Sequence, residues 1–291
     1  MRPAMKTIVL ATCAARRDLH PEDRALVACL RGKLGQNVDI RVWSEPHRWD
    51  AAREMVVIRS VWDYQQRLGE FLPWLDGLER GGVAVWNPVP VLRWNSDKRY
   101  LRELAQRGVA IPRTEWIEAA TADALRAAWM RLGGPCVLKP AVSASGQNTF
   151  LVRDEAGLVR AAAALAGRRV LAQEYLDAVR GEGEWSLVFF GGEFSHAFRK
   201  RATGDEFRVQ EEHGGVNTPA DAPPPAALAA AQQALAAAPS RQLAYARVDG
   251  VMRGGAFVLM ELELLEPRLY PEMGAGATER FARHLAALVG D

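Results

Sequence analysis

Val258-Leu-Met-Glu-Leu-Glu-Leu-Leu265 is the stretch on which the reading of this chain turns. Read as a strand, it alternates with period two: Glu261 and Glu263 share one face, and Val258, Met260, Leu262 and Leu264 share the other. The apolar face anchors the strand in a core, so the acidic face is held rigidly. Two such like charges raise each other's pKa unless a cation compensates them. A hard divalent metal with oxygen ligands is the most economical compensator. The competing reading is an ordinary strand with one solvated face.

Working outward, Asp249 in Arg247-Val-Asp-Gly250 lies twelve residues before Glu261, which suits a hairpin or two neighbouring strands. Three carboxylates brought together this way could hold one or two Mg²⁺ ions, with Mn²⁺ as the alternative, against phosphates. Upstream, Lys139 ends a short strand and precedes the small, polar loop Ala141-Val-Ser-Ala-Ser-Gly-Gln-Asn148. A point charge beside loop N–H groups suits a phosphate, although a strand-end lysine is also an ordinary surface residue. No Walker A loop occurs. Lys98 is expected just inside a helix N-terminus, where it opposes the helix dipole unless an anion binds there. Gln173-Glu-Tyr-Leu176 closes an apolar strand and offers a backbone edge and an aromatic for a purine, with carboxylates following at 182 and 184. Arg208, before His213-Gly-Gly215, is a candidate to stabilise charge on a transferring phosphoryl group. His213 itself reads as a hydrogen-bonded loop residue.

The N-terminal third alternates strands (7–12, 38–43, 55–58, 83–86) with helices (22–33, 68–80), which argues for a parallel sheet covered by helices. Ligands sit off the carboxyl ends of such strands, where Arg59, Ser60, Asp63 and Tyr64 follow the third. Asn87-Pro-Val-Pro90 reads as a hinge, and 97–107 as a helix capped by Asn95 or Ser96. Gly191-Gly192 closes a hairpin of 184–192 and 193–200, and Ala220 to Pro239 reads as a loop followed by a helix. The N-terminal third therefore reads as α/β, and the length of 291 residues fits two or three packed subdomains.

Composition narrows the function. The 291 residues are 49% hydrophobic and 25% charged, typical of a globular enzyme-sized chain. A net charge of +2 leaves no polyanion footprint, so no nucleic-acid partner is expected. Apolar windows are strand-length, so no membrane span is expected, and Met1-Arg-Pro-Ala-Met-Lys6 carries no leader pattern. Three scattered cysteines, Cys13, Cys29 and Cys136, read as core residues of a cytoplasmic protein. No G-x-S-x-G elbow, H-E-x-x-H or paired Cys/His motif supports a covalent-nucleophile or zincin enzyme.

The order of Lys98, Lys139 with its Ser/Gly loop, Gln-Glu-Tyr-Leu, Phe207-Arg208, Arg-Val-Asp-Gly and Met-Glu-Leu-Glu resembles the ATP-grasp superfamily over roughly residues 90–291. Within it, Asp249, Glu261 and Glu263 are similar to the metal triad of the glutathione synthetase and ribosomal-protein glutamate ligase branch. Val57-Ile-Arg-Ser-Val-Trp-Asp-Tyr64, Leu92 to Leu101 and Met260 to Pro267 resemble the O-ureido-serine cyclo-ligase group of D-cycloserine antibiotic biosynthesis. One departure stands out: the superfamily usually has Asn where this chain has Glu263, which adds negative charge to the metal face.

The resemblance implies a mixed α/β and α+β fold, with an N-terminal parallel-sheet domain (1–94) followed by two lobes (95–180 and 181–291) that clamp ATP. It implies ATP- and Mg²⁺-dependent conversion of a carboxylate to an acyl phosphate, then attack by an amine-type nucleophile. By resemblance, Lys98 and Lys139 contact phosphates and Ser143, Ser145 and Gly146 close over them. Gln173, Glu174, Tyr175 and Leu176 hold adenine, Glu182 holds ribose, and Arg208 with Lys139 serves catalysis. Arg59, Ser60, Asp63, Tyr64, Glu266 and Arg268 face a small amino-acid-like substrate; for Arg59 and Asp63 an interdomain ion pair is the alternative. An intermolecular amino-acid or peptide ligase and a non-catalytic nucleotide-binding regulator are the other functions compatible with these residues. Homodimers are common in related families, and no seam in this sequence marks one.

Overall fold

The structure, a computed structural model, describes residues 6–204 and 206–290. The segment 1–5, read above for a leader pattern, and Asp205 lie outside them.

Strands β1 (Thr7–Thr12), β2 (Val38–Val42), β3 (Glu54–Ile58) and β4 (Ala84–Trp86) form an all-parallel sheet in the order β2-β1-β3-β4. Both faces of β1 and β3 are buried, and alternate residues go to opposite sides. Ile8, Leu10, Met55 and Val57 pack with α1 (Pro21–Gly32) and the C-terminal helix, while Val9, Ala11, Val56 and Ile58 pack on α2 (Leu68–Arg80).

The expected hinge at 87–90 is instead a buried junction. Asn87 donates to the carbonyls of Tyr245 and Leu264 and accepts from the Ala244 amide, and α3 (Val89–Asn95) starts immediately after it. The next helix is shorter than the sequence suggests: α4 spans Tyr100–Gln106, and neither Asn95 nor Ser96 caps it. Lys98 lies in the turn between α3 and α4, and its backbone N–H donates to Ala141.

A second sheet, ordered β5-β8-β6-β7 and antiparallel throughout, combines β5 (Thr114–Ile117), β6 (Cys136–Pro140), β7 (Phe150–Val152) and β8 (Val170–Glu174). Helices α5 (Ala122–Leu132) and α6 (Glu155–Leu165) cover one face. Thr121 and Asp154 cap them by accepting from Ala124 and Gly157, and Gly133 ends α5 in the left-handed conformation. Leu138 and Ala172 point into that helical layer, so their neighbours Lys139 and Gln173 face the other way.

The third sheet is antiparallel, β11-β10-β9-β12-β13, built from β9 (Glu184–Phe190), β10 (Glu193–Arg201), β11 (Val216–Ala220), β12 (Tyr245–Arg253) and β13 (Ala256–Glu263). The alanine-rich stretch forms α7 (Pro225–Ala236), whose small side chains let it pack closely on this sheet beside α4. The final helix, α8 (Ala277–Gly290), packs on α1 and so ties the end of the chain to the first sheet.

The acidic strand departs from strict alternation. Gly250 pairs with Leu259 but Asp249 pairs with Glu261, so Met260 is the extra residue of a β-bulge. Below the bulge the faces exchange. Leu259, Leu262 and Leu264 share the α7 core, whereas Val258 and Met260 lie on the opposite side with Leu176, Val179 and Val209. The expectation that all four apolar residues share one face holds only for Leu262 and Leu264.

Candidate active site

β13 is an edge strand, whose outward N–H and C=O groups need partners. Side chains from α3 and α4 supply them. Asn95 donates to the Leu262 carbonyl at 2.7 Å and accepts from the Leu264 amide at 2.8 Å, and the Tyr100 hydroxyl accepts from the Leu262 amide at 2.9 Å. This clamp fixes Leu262 and thereby aims Glu261 and Glu263 on either side of it.

The strands beside β12 and β13 complete a charged floor. Asp249 accepts from Ser186 at 2.7 Å, from Lys200 Nζ at 2.9 Å and from Arg247 Nη2 at 2.9 Å. Arg247 also reaches Glu263 and donates to the Arg268 carbonyl at 2.7 Å. Lys200 bonds Glu184 as well, at 3.1 Å, and Lys98 bonds Glu261 at 3.0 Å. Burial pushes these carboxyls up, but Arg247 and Lys200 hold Asp249 well below its ordinary range. Glu261 is likewise held down, against burial, by Lys98 and Lys139. Glu263 goes the other way: burial, with Glu261 and Asp249 adding to it, raises it to about 7. Glu266 is raised well above the usual carboxylate range by burial and by Glu263.

Across a cavity of about 400 Å³ lies the second sheet. Lys139 faces the floor, and burial and Lys98 lower its pKa while Glu261 opposes them. Its loop passes Ser143, whose carbonyl accepts from Lys98 at 2.6 Å, then turns through Ser145, Gly146 and Asn148 with positive φ. There it meets the 206–213 segment: His213 Nε2 lies 3.1 Å from the Ser145 carbonyl, and a Cβ on Gly146 would stand 3.2–3.4 Å from Gln210, Arg208 and His213. Gln173, Glu174, Tyr175 and Leu176 line the same cavity, as do Tyr64, Glu266 and Arg268 at its N-terminal end.

Four expected residues fall outside that lining. Glu182 is exposed and its carboxylate accepts from Trp185 Nε1, while the buried Glu184 faces the cavity in its place. Arg59 is 2% exposed and bonds Glu22 and Asp23, and Ser60 donates to Asp23. Asp63 accepts from Trp43 Nε1 and pairs with Arg67. Arg59 and Ser60 thereby tie α1 to the end of β3, whereas Asp63 ties its own loop to Trp43 and Arg67.

Comparison with known proteins bears on the whole chain. Residues 95–265 match the RimK-like ATP-grasp domain, and residues 8–87 match the N-terminal domain of D-cycloserine synthetase DcsG. The chain belongs to the ATP-grasp family. It is 34% identical over 256 residues to the cycloserine biosynthesis protein DcsG of Streptomyces lavendulae, a match spanning 80% of this chain and 82% of that one. The crystal structure of D-cycloserine synthetase DcsG superimposes with a TM-score of 0.86 at 26% identity, covering 97% of this chain and 99% of that one. D-alanine–D-alanine ligase from Bacillus anthracis shares the fold at a TM-score of 0.70 and 15% identity, covering 98% of each chain. The protein is therefore an ATP-dependent ligase closely related to the D-cycloserine synthetases. Among the described residues no helix is long and apolar enough to cross a membrane.

In this ATP-grasp chain the acidic floor suits a hard cation unevenly. Glu261 and Glu263 offer oxygen donors on the same side of β13, each with one ion pair, to Lys98 and to Arg247. Asp249 differs, since Ser186, Lys200 and Arg247 already occupy both its oxygens. Among the described residues no group of three or more His, Cys, Asp or Glu side chains is placed to hold a metal ion. Glu261 and Glu263 fit such an ion; Asp249 would join them only with its bonds to Arg247 and Lys200 rearranged.

Sequence reasoning passed over Arg247, Lys200 and Ser186 as site residues, chose Glu182 over Glu184, and took Asn95 for a helix cap. Arg247 was within reach, because it stands two residues before Asp249 on the same face of one strand. Lys200 was not, because a bulge between Phe194 and His196 shifts the hairpin register.

Proposed function

We propose that the protein uses Mg-ATP to phosphorylate the carboxylate of a small amino-acid-like substrate, after which an amine-type nitrogen displaces phosphate. In the first step a carboxylate oxygen attacks the γ-phosphorus and ADP leaves. In the second, the nitrogen attacks the acyl carbon and loses a proton, inorganic phosphate departs, and a C–N bond remains. Intramolecular attack, cyclising an O-ureido-serine-like substrate, is favoured over intermolecular ligation by the 34% identity to a cycloserine biosynthesis protein across 80% of this chain.

The observation that carries this reading is the placement of Lys139. It is an ammonium group with no hydrogen-bond or ion-pair partner among the described residues, facing an acidic floor across one cavity. A polyphosphate laid between them would give Lys139 its partner, with Lys98 already turned toward the same loop. Ser143, Ser145 and Gly146 would close over it, and Tyr175 and Leu176 would flank the base. A Mg²⁺ ion held by Glu261 and Glu263 would supply positive charge to the phosphates. Arg247 can hold a carboxylate-derived anion where the γ-phosphate arrives, because its guanidinium is fixed by Asp249, Glu263 and the Arg268 carbonyl. Arg208 adds a second cation from the segment that covers Gly146. The division at 1–94, 95–180 and 181–291 belongs to this reading, and the presence of one sheet in each segment supports it.

The test is phosphate release from Mg-ATP with and without O-ureido-D-serine, followed by product mass. Stimulated release with a product smaller than the substrate supports cyclisation, and a product joining two substrates supports intermolecular ligation. ATP turnover unmoved by that substrate or by a panel of amino acids and amines would contradict the reading.

A further inference from the structure

Carboxylates from three parts of the chain converge on Arg268. Glu22 reaches it from α1 at 3.7 Å, Glu272 from the segment before α8 at 3.7 Å, and Glu211 from the short turn that follows Arg208. The guanidinium also lies over the Tyr270 ring, 4.1 Å from its centroid. A cation held on so many sides is a structural post. Its backbone carbonyl carries a further load, because it accepts from Arg247 Nη1 at 2.7 Å. The position of Arg268 therefore sets one of the anchors that aim the Arg247 guanidinium.

Glu211 opens and His213 closes one 3-10 turn, Glu211–His213, which ends on Gly214 at positive φ. One Glu211 oxygen takes Arg268 and the other accepts from Asn217 Nδ2 at 2.9 Å. At the other end of the turn, His213 Nε2 reaches the Ser145 carbonyl of the loop 141–148 at 3.1 Å. The amides of His213 and Gly215 donate to the Gln210 carbonyl, and that of Gly214 to Glu211. These bonds hold the two side chains in a fixed relation. Glycine is required where the segment doubles back, since a Cβ at Gly215 would stand 2.0 Å from the Val209 carbonyl oxygen. We infer that Glu211 and His213 are positioning residues: the turn between them latches the loop 141–148 to Arg268. A nucleotide that closes that loop thereby also settles the Arg268 carbonyl on which Arg247 depends. This assignment rests on the ligase reading for what Arg247 does, but not for the latch itself.

The test is amide hydrogen exchange of the full chain, with and without Mg and a non-hydrolysable ATP analogue, read at 143–148, 210–215 and 269–274. Leu269 and Tyr270 donate to Glu22 at 3.1 and 3.3 Å, so their amides report on the Arg268 corner. In the wild type the nucleotide should slow exchange in all three segments, by about fivefold at 269–274. In Glu211→Gln and in His213→Ala the slowing should persist at 143–148 and vanish at 269–274. The Glu211–Arg268 pair is partly exposed, so its loss leaves the chain folded. In either variant kcat should fall about tenfold while KM for ATP stays within about twofold. A response at 269–274 that survives in both variants would overturn the latch. So would a wild type in which 143–148 responds to nucleotide and 269–274 does not, a comparison independent of how the variants fold. A raised KM with unchanged kcat would overturn the positioning role. No nucleotide response in any segment would overturn the ligase reading instead. The latch then stands if Glu211→Gln speeds ligand-free exchange by about twofold or more at both 210–215 and 269–274, and falls if only 210–215 responds.

Discussion

Replacing Asn95 with alanine should loosen the acidic strand more than any other single change on the α3 side. Asn95 is 8% exposed and makes two backbone bonds to an edge strand, at 2.7 and 2.8 Å. Truncation strands one carbonyl and one amide, each costing about 1–3 kcal/mol, so the direct sum is about 2–6 kcal/mol. Water from the adjoining cavity can reach these groups and offset part of the loss, which brings the expected destabilisation to about 3 kcal/mol. Tyr100→Phe strands only the Leu262 amide and should cost about 1–2 kcal/mol. Urea unfolding followed by tryptophan fluorescence reads both values. Because Glu261 and Glu263 flank Leu262, Asn95→Ala should also weaken Mg-ATP binding. A loss below about 0.5 kcal/mol, the range of surface substitutions, would refute the clamp.

Other outcomes follow from the same geometry. Arg247→Ala should lower substrate-stimulated kcat by about 10²–10³-fold, the loss typical of a preorganised charge-stabilising donor; a change within about tenfold would show that the charge is stabilised elsewhere. Gly250→Ala would place a Cβ 2.4 Å from the Val258 carbonyl oxygen at the bulge, so it should abolish the bulged register and strongly lower the melting temperature. Unchanged melting would mean that the pair adopts another register. His20 is held down to about 4 by burial and by Arg268, so the folded chain favours the neutral ring. The stability this gives is present above the ordinary histidine pKa of 6.5 and is lost as pH falls from there through about 4. His20→Gln should flatten that part of the stability-pH curve, and an unaltered curve would assign the loss to other groups.

Much of this was legible in the sequence, and the failures share one cause. The parallel sheet, the helices covering it and the strand with two glutamates all follow from local periodicity. What periodicity cannot show is an insertion of one residue. Counted back from Gly254-Gly255, an unbroken hairpin would set Asp249 opposite Met260; the bulge sets it opposite Glu261. Counted from Gly191-Gly192, Glu184 would face Arg199, yet the bulge near His196 delivers Lys200. Two single-residue shifts therefore decide which cation meets which carboxylate. Asn95 was misread for a related reason: a polar residue before a helical stretch suggests a cap, and nothing local shows that an edge strand distant in sequence claims both its hydrogen bonds. Glu182 and Glu184 sit two residues apart beside a tight turn, so only the fold decides that 182 goes to solvent and 184 to the cavity.

The central claim is that a substrate carboxylate oxygen takes the γ-phosphoryl group. It is tested most directly by labelling that carboxylate with ¹⁸O and measuring the released phosphate by mass spectrometry under substrate-stimulated ATP turnover. The account predicts one ¹⁸O atom in each phosphate formed with product, because the acyl phosphate breaks at the acyl carbon. Unlabelled phosphate accompanying product would contradict it, showing that the carboxylate never carried the phosphoryl group.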